Sequence, residues 1–330
     1  MSSLTRLVSV AVLAGHLGGC TGPAADDLDP LTVAFTRRLT MAPLFIAEAE
    51  GFFEEQGLDV ELVAIEGAAV GIPSLLQGRL DVLPGPVSSA FFNAIARGGR
   101  IRIVADKGTF DRNDCSHNAF VISTAAMEAS DPPVIRRLST AREHFLQFLV
   151  ERALVGNGFD PSTIETFHLP QAAEYDALVS GRLDAAWVGE PWLSRIRDAG
   201  AAEIRTPTNT YFDGYQYSVF LFGPSLLDDN PELGERFMAA MLKGLRAYNE
   251  GKTESNMTAL TELMKLERAE LENVCWPAMG TDGQISAESV LEFQQWAFER
   301  GELDAVVPVE EFWDPRFIEA GARILGGGGR

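Results

Sequence analysis

Leu178–Trp192 reads LVSGRLDAAWVGEPW, and Leu75–Pro86 reads LLQGRLDVLPGP. The tetrapeptide Gly-Arg-Leu-Asp stands at 78–81 and again at 181–184. Each copy follows an apolar helical segment and leads through a short apolar strand into a Gly/Pro-containing turn. The matched context on both sides makes chance repetition of four common residues the weaker reading. Two such helix-to-strand units in one chain point to two similar lobes.

Working outward from the first copy, Leu31–Thr36 (LTVAFT) is an apolar run rich in β-formers and reads as a buried strand. Thr40 can cap a helix that starts near Ala42, with Pro43 in its first turn. Ile46, Ala49 and Phe53 would share its inner face, and Gly57 would stop it. Leu58–Ile65 alternates as a strand, Gly67–Gln77 is helical, and Leu80–Leu83 is a strand closed by a turn at Pro84-Gly85-Pro86. A helix over Ser88–Arg97 and a strand over Ile101–Ala105 follow. Strands alternating with helices predict a mainly parallel sheet with helices on its faces.

Around the second copy the order repeats. His117–Ser123 and Val134–Leu138 read as strands, and Ser139-Thr140 as the cap of a helix over Ala141–Val155. The strand Ile164–His168, the helix Gln171–Val179, the strand Leu183–Val188 and a helix after Pro191 complete the set. Tyr215–Phe222 (YQYSVFLF) is the expected return crossing into the first lobe, and the remainder is helical. The division is therefore 1–19 leader, 20–30 tether, 31–108 with 215–330 as lobe one plus C-terminal helices, and 109–214 as lobe two.

The first nineteen residues carry Arg6, an apolar run Leu7–Leu17 interrupted by His16, and Leu17-Gly18-Gly19 before Cys20. This resembles a bacterial lipoprotein signal, with Cys20 as the lipidated residue. The run is too short to span a bilayer. With 27 basic and 47 acidic residues the net charge is −20, and loss of the leader would remove only Arg6. Such a field argues against nucleic acid or anionic lipid as a partner. A hydrophobic fraction of 46% excludes a disordered chain. Cys115 and Cys275 could pair in an oxidising compartment, but spacing alone does not join them, and they read as two free or buried thiols.

Ala42–Ala47 (APLFIA), Glu50–Leu62 (EGFFEEQGLDVEL), Gly67-Ala68-Ala69, Leu76–Asp81 and Leu183–Ala186 with Glu190-Pro191-Trp192 together resemble the periplasmic substrate-binding proteins of ABC importers. Within them the chain is similar to the nitrate, taurine, alkanesulfonate and thiamine-pyrimidine binding proteins, the NMT1/SsuA-like group. The likeness covers roughly residues 31–250. It departs at Ser130–Leu138 (SDPPVIRRL), where such proteins usually carry Asp-Leu-x-Gly-Lys. The resemblance implies an α/β, two-lobed periplasmic binding protein fold (type II), joined by two crossing segments. It implies a monomer that closes on a small-molecule ligand, needs no cofactor or metal, and delivers the ligand to ABC permease transmembrane subunits. The N-terminal lipid would hold it to the membrane.

In open parallel sheets the carboxyl ends of the strands form the ligand crevice, where helix N-termini favour polar acceptors. That selects the candidate ligand-binding residues: Thr36 and Met41 at the first turn, Ala68 at a helix start, Ser88 after the Gly-Pro turn, and Lys107 near the hinge. Lobe two would add Ser139, Thr140, Trp187, Glu190 and Trp192, and Tyr215 would line the hinge side with Tyr211 and Phe212. An indole stacks on flat ligands, so a wall of Trp187, Trp192 and Glu190 favours a flat or cationic nitrogen ligand. Core packing and helix capping are the plainer roles for each of these residues.

A competing expectation is catalysis, since a fungal branch of this fold makes a thiamine pyrimidine from pyridoxal phosphate with a cysteine-rich motif and a histidine. Here the histidines are His16, His117, His144 and His168, and the sequence holds no CxxC, HExxH, GxSxG or P-loop. The reading is a binder and not an enzyme. A ligand-sensing module for a membrane receptor is the other alternative.

Overall fold

The computed structural model describes residues 28–36, 38–142, 144–265 and 267–327. The expected leader and Cys20 lie outside them. Strand β1 (Asp29–Phe35) begins inside the expected tether. It is followed by α1 (Ala42–Ala49), β2 (Leu58–Ala64), α2 (Ala68–Leu76), β3 (Val82–Pro86), α3 (Ser89–Ala96) and β4 (Arg102–Thr109). The chain then builds β5 (Asn118–Ser123), α4 (Thr124–Ala129), β6 (Arg137–Ser139), α5 (His144–Gly156), β7 (Glu165–Phe167), α6 (Gln171–Val179), β8 (Ala185–Gly189), α7 (Trp192–Asp198), β9 (Ala202–Pro207) and α8 (Thr208–Tyr211). It returns through β10 (Gln216–Phe222) to α9 (Pro231–Asn249), α10 (Glu254–Met264), α11 (Arg268–Asn273), α12 (Ala287–Glu299), α13 (Val309–Phe312) and α14 (Arg316–Gly327).

The strands form two five-stranded sheets of the same plan, β2-β1-β3-β10-β4 and β7-β6-β8-β5-β9. In each, one strand runs against its neighbours: β10 between β3 and β4, and β5 between β8 and β9. The Gly-Arg-Leu-Asp repeat does the same work in both. Gly78 and Gly181 take φ of 65° and 66°, the left-handed turn that ends α2 and α6. Asp81 then accepts from the Thr32 amide at 2.8 Å, and Asp184 accepts from the Arg136 and Arg137 amides at 2.9 and 2.8 Å. Each carboxylate pins the incoming strand to the start of its neighbour.

Several local expectations change. Met41, not Thr40, stands at the N-cap of α1 and makes no side-chain cap bond. Ala49 is exposed, whereas Ile46 and Phe53 are core. Pro84-Gly85-Pro86 is not a turn but the second half of β3, paired with Phe220, Val219 and Ser218. The reason is local: β3 meets β1 only at Val33–Val82. The Val87 amide donates to Tyr217, so by strand alternation Pro84 and Pro86 turn their missing N–H groups away from β10. β9, not among the expected strands, forms the edge of the second sheet. Ser139 lies in β6 and does not cap α5. Cys115 and Cys275 are not free thiols; they form a disulfide.

Two segments, 110–117 and 208–215, pass between the sheets and bond to each other through Phe110 and Tyr215 and through Gly214 and Phe110. One core fills the face of lobe one covered by α1, α9 and α10, and another the face of lobe two covered by α6 and α7. The largest cluster spans both lobes. At its centre Phe293 of α12 meets Phe145 and Phe148 of α5 at 5.5 and 5.9 Å and Phe92 of α3 at 6.3 Å. α12 therefore braces the lobes against each other.

Candidate functional site

A cavity of about 570 Å³ lies between the lobes. Its walls come from the carboxyl ends of the parallel strands. Thr36 follows β1, Gly67 follows β2, and Pro84–Pro86 end β3, while Ala141, Leu169 and Gly189–Trp192 follow or end β6, β7 and β8. Both lobes thus turn the same edge of their sheets to one space, as doubly wound topology requires. α2 and α6 start there, and neither has a side-chain cap.

Two irregularities in the β4–β10 pairing aim the central polar groups. Ser218 opposes Gly108 while Val219 opposes Asp106, leaving Lys107 as an extra residue. Gln216 opposes Thr109 while Ser218 opposes Gly108, leaving Tyr217 as another. Bulges re-aim side chains, and both of these residues line the cavity. Gly108 makes room: a Cβ there would stand 2.2 Å from the Tyr217 ring.

Lys107 is 2% exposed and its ammonium donates to the Thr40 carbonyl at 3.1 Å. Burial pushes it down to about 7; Asp106 opposes this shift and Arg38 adds to it. Asp106 is itself driven up to about 6 by burial, against hydrogen bonds from Gln216, the Gly108 amide and Thr109. His117, stacked on Phe110 and tilted against Tyr217, is lowered to about 4 by burial and by the Lys107 charge, so it stays neutral. Its Nδ1 and the Trp187 Nε1 are buried without a hydrogen-bond partner. Across the cavity Glu174 accepts from the Ser139 hydroxyl at 2.6 Å, and burial raises its carboxyl to about 7.

The structure gathers Thr36, Met41, Lys107, Trp187, Glu190 and Trp192 on the cavity wall. Glu190 spends its two oxygens on the Ser194 amide and hydroxyl, at 3.1 and 2.8 Å, capping α7. Trp192 carries the Arg195 guanidinium over its ring at 4.6 Å. Of the other candidates, Ser88, Ser139, Thr140 and Tyr215 lie off the wall. Ser88 caps α3 through the Phe91 amide, and Ser139 holds Glu174. The Thr140 hydroxyl is buried without a partner. Tyr215 turns from the cleft and donates to Glu292 of α12. Ala68 opens α2, and its neighbour Gly67 lines the cavity.

Sequence reasoning missed His117, Glu174, Phe110 and Tyr217, and the wall built by Leu271, Val274 and Pro277. For Tyr217 the signal was present: Gly108 and Tyr217 sit in runs where a bulge is the natural use of a strand glycine. For α11 no local signal exists, because the wall is set by chain return from beyond β10. Among the described residues no group of His, Cys, Asp and Glu could hold a metal ion, and no helix is long and apolar enough to cross a membrane.

Comparison with known proteins agrees with this architecture. The chain is 24% identical over 216 residues to the provisionally named binding protein YtlA of Bacillus subtilis (strain 168), a match covering 63% of this chain and 62% of that one. The match thus spans less than two thirds of that relative's length. Among solved structures, the ligand-binding component of an ABC-type import system from Staphylococcus aureus, with zinc bound, superposes with a TM-score of 0.70. It is 16% identical, over 89% of this chain and 99% of that one. The periplasmic aliphatic sulphonate binding protein SsuA of Escherichia coli gives 0.67 at 15% identity, over 86% and 97%. The nitrate-binding protein NrtA of Synechocystis PCC 6803 gives 0.62 at 16%, over 91% and 89%. These likenesses establish the periplasmic binding protein fold. The family described as NMT1/THI5 like matches residues 39–250, most of the 330-residue chain, and the protein belongs to that family.

Proposed function

We propose that this protein is the extracytoplasmic solute-binding component of an ABC importer, capturing a small molecule between its lobes and handing it to the permease. The observation that carries this reading is the cavity of about 570 Å³ shared by two α/β lobes, with donors buried in its walls. That volume suits a small organic ligand. The roles of the Staphylococcus and Escherichia proteins support the same assignment. Lipidation at Cys20 would hold the monomer at the membrane surface.

The donors at the hinge end, Lys107 and the Trp187 indole with His117 beside them, favour a ligand with an acceptor oxygen there. Its body would be apolar, lying against Phe110, Phe145 and Leu149. This replaces the flat or cationic nitrogen ligand expected from the Trp/Glu wall. Ser194 holds the Glu190 oxygens, and Glu174 favours its neutral form up to about 7.

The test is thermal unfolding of the purified protein against ring compounds of pyrimidine and flavin type, taurine, alkanesulfonates, nitrate, bicarbonate, dicarboxylates and cationic amines. A ligand at 100 times its Kd adds about 2.7 kcal/mol to the native state. A shift with an acceptor-bearing compound supports the reading. A shift only with cationic amines would overturn the ligand class, and turnover of a bound compound would overturn the binder assignment.

A further inference from the structure

We propose that the Cys115–Cys275 disulfide makes residues 268–279 a fixed wall of the cleft, coupled to the crossing between the lobes, so that it helps decide which ligands fit. The ligand half of this inference rests on the solute-binding reading; the structural half does not. Leu271, Val274 and Pro277 are buried and line the cavity.

The segment's non-covalent anchors lead mostly to α9 and the turn after it. The Trp276 ring stacks on Tyr248 at 5.6 Å, the Met279 amide donates to Asn249 at 3.0 Å, and Lys252 donates to the Glu272 and Val274 carbonyls at 2.7 and 2.9 Å. None of these reaches the crossing. Among the described residues, three ties lead to the crossing or to lobe two. Asp114 accepts from the Ala278 amide, Arg195 of α7 pairs with Glu270 at 3.4 Å, and Cys115 is bonded to Cys275. The ion pair is half exposed on its Arg195 side, and such pairs contribute little.

The covalent tie therefore dominates, and it fastens to the crossing whose two ends, Phe110 and His117, line the same cavity. The bond closes a loop over a sequence separation of 160, which contains every strand of the second sheet. Movement of that lobe about the crossing is thereby transmitted to the wall.

Cys115 is exposed, so a soluble dithiol can reach the bond. Dithiothreitol would pass two electrons and two protons to the cysteines, leaving two thiols and its own cyclic disulfide. Full-length protein, oxidised or treated with dithiothreitol, is compared with the Cys115→Ser/Cys275→Ser variant by hydrogen exchange. Amides of 110–117 and 268–279 are expected to exchange at least tenfold faster without the bond, with β1–β3 unchanged. The compound that shifts oxidised wild type in the panel should bind about tenfold more weakly, and Val274→Ala should weaken it with the bond intact. Unchanged exchange in both stretches, or free thiols in non-reducing peptide maps, overturns the inference. If wild type binds no compound, the solute-binding reading fails separately and the exchange data still decide the wall. If the double variant does not fold, the comparison of oxidised with reduced wild type decides.

Discussion

Replacing Lys107 with Met should make the protein more stable and its cleft less useful. Lys107 is 2% exposed and has dropped from 10.5 to about 7, first because of burial. At 1.36 kcal/mol per pKa unit, that depression withholds roughly 5 kcal/mol of stability while the ammonium is charged. The sign is definite. Between pH 7 and 10.5 the unfolded chain binds a proton that the folded one lacks, so stability rises with pH across that window. The contribution is complete above 10.5 and lost as pH falls through 7.

Met keeps most of the apolar stem and removes the charge, but it leaves the Thr40 carbonyl without its donor, a loss of about 1–3 kcal/mol. The net gain at pH 6 is then about 2–4 kcal/mol. At about 2 °C per kcal/mol for a chain of this size, Tm rises by about 4–8 °C. Differential scanning calorimetry of both proteins at pH 6 and pH 10.5 measures it. The gain should vanish or reverse at pH 10.5, and the ligand-induced shift should disappear. Equal or lower stability of the variant at pH 6, or the same gain at both pH values, would refute the buried-cation argument.

Glu174→Gln keeps the acceptor for Ser139 and removes a carboxylate whose pKa burial raises to about 7. Its contribution is present below 4.5 and lost as pH rises through 7, so the variant should be stabler by about 3 kcal/mol at pH 8.5 and unchanged at pH 4 in urea unfolding. Trp192→Ala should weaken binding by about 1–3 kcal/mol in titration calorimetry, the cost of an aromatic anchor; unchanged affinity would remove it from the site. Asp184→Ala and Asp81→Ala should each lower stability by about 1–3 kcal/mol, because each strips an acceptor from amides of the neighbouring strand. Denaturation curves unmoved by both would mean that the repeat is not structural.

The repeat, the βα alternation and the boundaries of α6 were legible in sequence because each is a local pattern: a helix closed by a left-handed glycine, then an apolar strand. Family membership was legible for the same reason, since its motif runs through one continuous helix-turn-strand. About half of the candidate residues reached the wall, those placed by the rule that ligands lie at strand carboxyl ends. Among those that missed, Ser88 and Ser139 each had a second available role, and packing chose it. Ser139 faces Glu174 from within β6, a choice that depends on where α6 lies.

By itself, then, the sequence determined two βα lobes, their order along the chain and the edge of each that would carry a site. These follow from periodicity, turn chemistry and strand alternation over a few residues. Only the tertiary structure decided that Pro84–Pro86 extend a strand, that bulges turn Lys107 and Tyr217 inward, and that Cys115 meets Cys275. It also decided that α12 ties the lobes together and that α11 walls the cleft. Each of these depends on a partner far away in the chain, and burial by such partners moves the pKa values of Lys107, Asp106, His117 and Glu174 from their ordinary ones.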